Sequence, residues 1–367
     1  MRVAVLAHPR HPIAPPFMGG MEAHAWHLTR GLAARGHDVT LFAAGDSDAG
    51  VPLHPVGAVH YDRSWPGADW HGSDALNAHV DGLWAAALPA IRDGGFDAVH
   101  NNTLHRYPPR LARAARVPTV TSLHVPPFDA LRRAVHASPA PWHLTTVTSR
   151  RQMDRWWDAP PPSARVLPNG IDPAAWPFAP RGGGGAVWAG RITPNKGTAH
   201  AARAARIACV PLTIFGAVED PDYFRAEVAP LLGGGVRHGG HLAGEALAAE
   251  LGRADVLLFT PMWDEPFGLA AVEAMACGLP VAAFDAGAVR EVVGPCGAYA
   301  PPGDAKGLAR AIGAAMALPR AASRARVEAR FTLDRMIGRC EALYAEAVGA
   351  RDADWPPARF SRRELAL

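Results

Sequence analysis

The chain has 367 residues, 49% of them hydrophobic and 19% charged, with 37 Lys and Arg against 34 Asp and Glu. It is too long for one ordinary core and too apolar for disorder, and its net charge of +3 gives no reason to expect nucleic acid as a partner, so two globular domains are expected. Four dispersed cysteines with no Cys-x-x-Cys pair argue against a disulfide framework or zinc site, no apolar run reaches membrane-spanning length, and the opening MRVAVLA is too short for a signal peptide, so a cytoplasmic location is expected.

In chain order, Val3–Ala7 predicts a buried strand and is followed by a loop rich in Pro, His and Gly that ends at Gly19-Gly20. A helix is expected over Met21–Arg35, with apolar positions at Ala25, Leu28 and Leu32, and a second strand over Val39–Ala43. Strand, glycine loop, helix, strand is a doubly wound opening. Glycines at a helix start let a ligand approach the backbone, although a plain tight turn explains Gly19-Gly20 equally well. The Gly-x-Gly-x-x-Gly fingerprint is absent, so NAD is not expected.

Residues 60–80 read as an irregular segment whose Trp65, Trp70 and His71 either face a ring-bearing acceptor or simply pack. Strands are predicted at Phe96–His100 and Val117–Leu123, with His124 at the end of the second, on the edge where open α/β sheets take ligands. Val147–Arg150 reads as the last strand of this half, followed by a helix to about Trp157. Pro160-Pro161-Pro162 and the VLPNGID segment (166–172) mark the crossing into a second half, with Asn169 and Asp172 as turn residues.

The second half opens on a strand at Ala186–Gly190 that leads into Arg191 and Lys196 in a strand-to-helix loop. Lysine occurs only at Lys196 and Lys306, so one placed in such a loop draws notice. A guanidinium fork and an ammonium point charge together suit a diphosphate, and solvated surface cations are the alternative. Strands at Leu212–Phe215 and Val236–Gly240 follow, then His241-Leu242 and a helix from about Gly244 to Arg253. Val256–Phe259 predicts a buried strand, residues 261–268 a turn-rich loop, Leu269–Cys277 a helix stopped by Gly278 and Pro280, and Val281–Phe284 the next strand. Glu265 lies in that loop, and Glu273 stands alone in the apolar helix, where burial without a partner is unfavourable. The helix start offers free amides and a positive dipole end near Gly268 and Leu269, which suit a phosphate. Residues 304–349 read as helical.

Glu265 and Glu273, with Phe267-Gly268-Leu269 between them and Ala274-Met275-Ala276, Gly278, Pro280 and Val281 after, resemble the signature of the retaining glycosyltransferases of family 4. Gly190-Arg191 with Lys196-Gly197, the Pro-Asn-Gly-x-Asp string ending at Asp172, Gly19-Gly20 before Glu22, and Thr121-Ser122-Leu123-His124 are similar to further motifs of that family. Ala288 stands where the family commonly has a second glycine after Gly287. The resemblance covers nearly the whole chain and thins after about Gly349.

The resemblance implies an α/β fold of the GT-B type, with two Rossmann-like doubly wound parallel-sheet lobes facing a cleft. Residues 1–165 would form the acceptor lobe, 166–344 the nucleotide-sugar lobe, and 345–367 a segment packing back on the first. It implies that Arg191 and Lys196, with amides at Gly268 and Leu269, hold the donor diphosphate, and that Glu273 holds the ribose. Glu265 and Phe267 would line the sugar and its loop, His241 and Leu242 the base, and Gly20 the phosphate or acceptor. His124 would lie next to the reacting sugar. The implied partners are a UDP- or GDP-sugar donor and a small-molecule or glycan acceptor, with no cofactor, no metal and no nucleic acid; peripheral membrane contact is left open. A phosphorylase or nucleotide-sugar hydrolase on the same fold, or a non-catalytic nucleotide-sugar-binding protein, are the other readings.

Overall fold

The computed structural model describes residues 1–66, 70 and 72–365, apart from the side chains of residues 362 and 363. Two compact units divide the chain: Met1–Thr148 with Met153–Leu167 and Met336–Leu367, and Ser149–Gln152 with Pro168–Arg335.

The first unit holds seven parallel strands: β1 (Arg2–Ala7), β2 (Asp38–Ala43), β3 (Leu53–Pro55), β4 (Ala98–Asn102), β5 (Thr119–Leu123), β6 (His143–Val147) and β7 (Ala164–Val166). Their order, β3-β2-β1-β4-β5-β6-β7, reverses direction between β1 and β4, where Val3 pairs with Ala98. That reversal is the topological switch point of a doubly wound sheet. Strands buried on both faces need continuous apolar or β-branched runs, and β1 supplies one with Val3, Ala4, Val5 and Leu6 fully buried. One core gathers Leu6, Phe42, Trp84, Leu88, Ile91 and Leu111.

Three expectations for this unit change. The strand expected at Val147–Arg150 is instead β6 at His143–Val147, and Arg150 already begins the helix Arg150–Trp156. The polar letters of His143, Thr145 and Thr146 hid a fully buried strand, whose groups are satisfied sideways: His143 Nε2 lies 2.9 Å from Thr121 Oγ1 and Nδ1 2.7 Å from Ser138 O. The strand expected at Phe96–His100 begins and ends two positions later, at Ala98–Asn102. The irregular segment expected to run to residue 80 gives way at Asp74 to the long helix Asp74–Asp93, capped by Ser73 Oγ accepting from Leu76 N at 3.3 Å. Trp70 and Trp65 meet edge to face, and His71 lies outside the described residues.

The second unit holds β8 (Ala186–Ala189), β9 (Leu212–Phe215), β10 (Val236–His238), β11 (Val256–Phe259), β12 (Val281–Phe284) and β13 (Gly297–Ala300). The order β10-β9-β8-β11-β12-β13 is again doubly wound, with its switch point between β8 and β11. One face packs Leu257, Val272, Met275 and Val293; the other packs Trp188, Ala201, Ala205, Leu308 and Ile312. The helical region after 304 is three helices, Ala305–Met316, Arg320–Arg330 and Leu333–Gly349. From Met336 onward the chain belongs to the first unit, where Tyr344 is fully buried with its hydroxyl 2.7 Å from His100 Nδ1. Among the described residues no helix is long and apolar enough to cross a membrane.

Candidate functional site

In the second unit the loops after β8 and β11 are fastened together at the switch point. Thr260, just past β11, donates to the Lys196 and Gly197 carbonyls, both at 3.0 Å, and accepts from Trp188 Nε1 at 3.0 Å. Met262 N donates to Asn195 O at 2.8 Å. This fastening carries Lys196 to Glu265, whose Oε2 lies 2.7 Å from the ammonium. Trp263 Nε1 donates to the same oxygen at 2.8 Å, and the Lys196 ammonium sits 5.0 Å from the Trp263 ring centroid. The Glu265 side chain is 8% exposed and that of Lys196 20%, so water screens this pair little.

The backbone of Glu265 is held from the other side. Ala288 N donates to Glu265 O at 2.8 Å. Gly287 has φ +59, and a Cβ there would fall 2.3 Å from Glu265 N and 2.4 Å from its carbonyl. The position therefore excludes side chains on both conformational and steric grounds. Ala288, in place of a second glycine, is fully buried and keeps its amide for Glu265.

The helix Leu269–Ala276 begins at Gly268, whose φ of +93 turns the chain sharply into it. The first amides of a helix have no earlier carbonyl within it to accept them, so those at Leu269 and Ala270 are available to an anion. Glu273, in the second turn, is neither solvated nor fully buried, and no described residue hydrogen-bonds its carboxyl. Burial in this apolar helix pushes its pKa up to about 7. Phe267 is a core residue, edge to face with Phe331 at 5.5 Å, so only its backbone is free to meet a ligand. The Arg191 side chain turns to Glu219 at 2.7 Å and is 43% exposed, so it does not join Lys196 on Glu265. His241 is exposed, and Leu242 packs against the core. Asp172 is a turn residue, its Oδ1 accepting from Ala174 N at 2.9 Å.

In the first unit Gly20 is exposed at the start of the helix Gly20–Ala34, and His124 follows β5. His124 Nε2 lies 2.8 Å from Asn102 Oδ1 at the end of β4, and its ring centroid lies 4.5 Å from that of His24. His24 in turn lies 6.4 Å from His100, and His100 Nε2 lies 2.9 Å from Ser122 Oγ. Burial, helped by neighbouring rings, lowers His124 and His100 to about 3 and His24 well below the usual imidazole range. All three are neutral at physiological pH, which suits hydrogen bonding more than proton transfer.

Sequence reasoning missed Trp263, Glu219, His24 and Asn102. Trp263 stands two residues before Glu265, in the turn-rich loop that leads into the family motif, and a signal for His24 was present in its place two residues after Glu22. Asn102 and Glu219 carry no local pattern; only the fold brings them to their partners. Among the described residues no group of three or more His, Cys, Asp or Glu side chains is placed to hold a metal ion.

Known proteins resemble the chain along most of its length. The sequence pattern described as Glycosyltransferase Family 4 matches residues 18–175, and that described as Glycosyl transferases group 1 matches residues 184–317. A glycogen synthase of Mycobacterium tuberculosis is 30% identical over 361 residues, taking in 84% of this chain and 85% of that protein. A phosphatidyl-myo-inositol mannosyltransferase of Mycobacterium leprae is 30% identical over 318 residues, 80% of this chain and 83% of that protein. Two solved structures share the fold. Sucrose-phosphate synthase from Thermosynechococcus elongatus has a TM-score of 0.77 at 21% identity, covering 95% of this chain and 99% of that one. Anabaena HepE in complex with UDP-glucose has a TM-score of 0.71 at 19% identity, covering 94% and 100%.

Proposed function

Because the chain belongs to glycosyltransferase family 4, the group 1 glycosyltransferases, we propose that it moves a sugar from a UDP- or GDP-sugar to an acceptor hydroxyl, with retention of anomeric configuration and without a metal ion. The observation that carries this reading is the Lys196–Glu265 pair at 2.7 Å, held with Trp263 at the switch point of the second sheet. The UDP-glucose bound by Anabaena HepE supports a nucleotide sugar as donor.

In this reading Lys196 and the amides of Gly268 and Leu269 meet the diphosphate. Arg191 leaves Glu219 to join them. These groups act most strongly as charge grows on the departing phosphate, so they raise turnover more than affinity. Glu273 accepts from the ribose hydroxyls, Glu265 from the sugar, and the backbone at His241 and Leu242 meets the base. Gly20 lets the phosphate or acceptor approach the first unit's helix start, and His124 orients the sugar or acceptor as a neutral hydrogen-bonding ring. The bond from the anomeric carbon to the diphosphate breaks, the acceptor oxygen bonds to that carbon on the same face, and the acceptor proton passes to the departing phosphate oxygen.

The test follows release of nucleoside diphosphate and the anomeric configuration of the product by NMR. Retention with an organic acceptor supports the reading. Inversion, or turnover with inorganic phosphate or water in place of any organic acceptor, overturns it. Activity that survives a chelator supports metal independence; activity lost to the chelator and restored by magnesium contradicts it.

A further inference from the structure

Glu265 stands on a stretch that cannot hold its own shape. Residues 263–267 lie in neither helix nor strand, and Pro266 has no amide hydrogen to give. Such a loop takes its conformation from the groups that grip it from outside. Three successive residues are gripped. Arg151 Nη2 lies 3.6 Å from Asp264 Oδ1, Ala288 N donates to Glu265 O at 2.8 Å, and Ser149 Oγ donates to Pro266 O at 2.8 Å. Two of these grips come from Ser149–Gln152, a piece that belongs to the second unit although the chain on either side of it belongs to the first.

Glu291 holds that piece. Its Oε1 accepts from Arg150 N at 3.0 Å and its Oε2 from Arg151 N at 3.2 Å. These amides open the helix Arg150–Trp156 and have no earlier carbonyl within it, so a carboxylate is a strong acceptor for them. Ser149 Oγ accepts from Gln152 N at 3.1 Å, which leaves its hydroxyl hydrogen for Pro266 O. Glu291 is itself fixed through the helix Val289–Val293, where Arg326 donates to Glu291 O and Val292 O, both at 2.7 Å. The contacts close a ring: Ala288 to Glu265, Pro266 to Ser149, and Arg150 with Arg151 back to Glu291. The proposed reaction gives Glu291 no part. We infer that Glu291 is a positioning residue: by fastening Ser149–Gln152 it holds residues 264–266 so that the Glu265 carboxylate stays against Lys196 and Trp263. Placement matters to the rate, since misplacing a reacting group by about 1 Å costs about 100-fold. The effect on turnover rests on the transferase reading; the hold on the loop does not.

The test reads the loop and the rate separately in the full chain. The Trp263 indole N–H donates to Glu265 Oε2 at 2.8 Å, so its NMR signal in chain labelled with isotopic tryptophan reports where that carboxylate lies. Trp263→Phe identifies the signal. Glu291→Ala should shift it. Turnover at saturating donor, measured well below the melting point, should fall about tenfold while donor KM changes less than about twofold. Glu291→Gln keeps one accepting oxygen and should retain more of both signal and rate. Ser149→Ala should act in the same direction, and the double variant should lose little more than the worse single one, because both act through one piece of chain. An unmoved indole signal in Glu291→Ala overturns the inference, as does undiminished turnover, or losses that multiply in the double variant. If Glu291→Ala does not fold, Glu291→Gln and Ser149→Ala decide by the same two readouts. A native chain that consumes no donor sinks the transferase reading and leaves the indole signal to judge Glu291. Donor turnover that the variants leave unchanged, beside an unmoved signal, sinks the positioning role alone.

Discussion

The same topological feature occurs twice in this chain and is furnished in opposite ways. At the β1/β4 reversal of the first unit stand His24, Asn102 and His124, all uncharged. At the β8/β11 reversal of the second stand Lys196, Glu265 and Trp263, joined by an ion pair of 2.7 Å. A doubly wound sheet opens a crevice wherever strand order reverses, but it does not dictate what the crevice binds. The side chains set that: a charged set suits a diphosphate, and a neutral mixed set suits hydroxyls.

Four experiments probe this contrast. The largest effect is expected from Lys196→Ala, which in the proposed reading removes a cation from the departing phosphate and leaves Glu265 paired to Trp263 alone. Turnover at saturating donor should fall about 100- to 1000-fold, with a smaller change in KM. Steady-state kinetics across donor concentration measure it, and a change confined to KM would put Lys196 in binding only.

Next comes pH. The unfolded chain protonates each histidine near 6.5, whereas in the folded first unit burial holds His100 and His124 to about 3, His143 to about 4, and His24 well down. The unfolded state therefore takes up more protons as pH falls. Stability is full above 6.5 and declines below it, by up to about 1.4 kcal/mol per pH unit for each histidine. Glu273 works the other way. Its pKa is raised from 4.5 to about 7, so its contribution is present below 4.5 and is lost as pH rises through 7. Hydrogen exchange resolved by peptide should show the first unit loosening in acid and the helix Leu269–Ala276 loosening mildly in base.

A smaller effect is expected from Gly287→Ala, whose new methyl collides with the Glu265 backbone 2.3 Å away in a positive-φ turn. The cost should be about 3 kcal/mol, read from denaturant unfolding. The smallest belongs to Glu273→Gln. In the proposed reading an ionised Glu273 carboxylate accepts from both ribose hydroxyls, so donor affinity in the native chain should rise from pH 6 to pH 8. The variant should bind about tenfold more weakly at pH 8 and lose that dependence, as calorimetry would show.

Much of the second unit could be read in advance because its central strands β8, β11 and β12 are pure apolar runs. Val256–Phe259 and Val281–Phe284 are buried on both faces, with Leu257 and Ala283 in one core and Leu258 and Ala282 in the other. The first unit was harder. The polar run of β6 is buried through hydrogen bonds to Thr121 and Ser138 that no local pattern reveals. The helix Asp74–Asp93 carries Gly82 and Pro89, both poor helix formers, and shows its core stripe only through Leu76, Trp84, Leu88 and Ile91. Within the site, Lys196 and Glu265 were legible as types in a spaced motif. Their contact depends on Thr260 fastening two loops, and Arg191 turns to a Glu219 that lies on a third loop. That both ring nitrogens of His24 and the amide nitrogen of Asn102 have no hydrogen-bond partner among the described residues is a property of the packed chain alone.

The most direct measurement of the central claim, that the second unit grips a nucleoside diphosphate sugar at Lys196 and Glu265, is thermal unfolding of the full chain with UDP-, GDP- and ADP-sugars. The account predicts that one of these raises the native chain's melting point in a concentration-dependent way, by about 2.7 kcal/mol of stabilisation at a hundredfold excess over Kd, and that Lys196→Ala and Glu265→Gln reduce or abolish the rise. A native melting point that none of the three moves, or an unchanged rise in both variants, would contradict it.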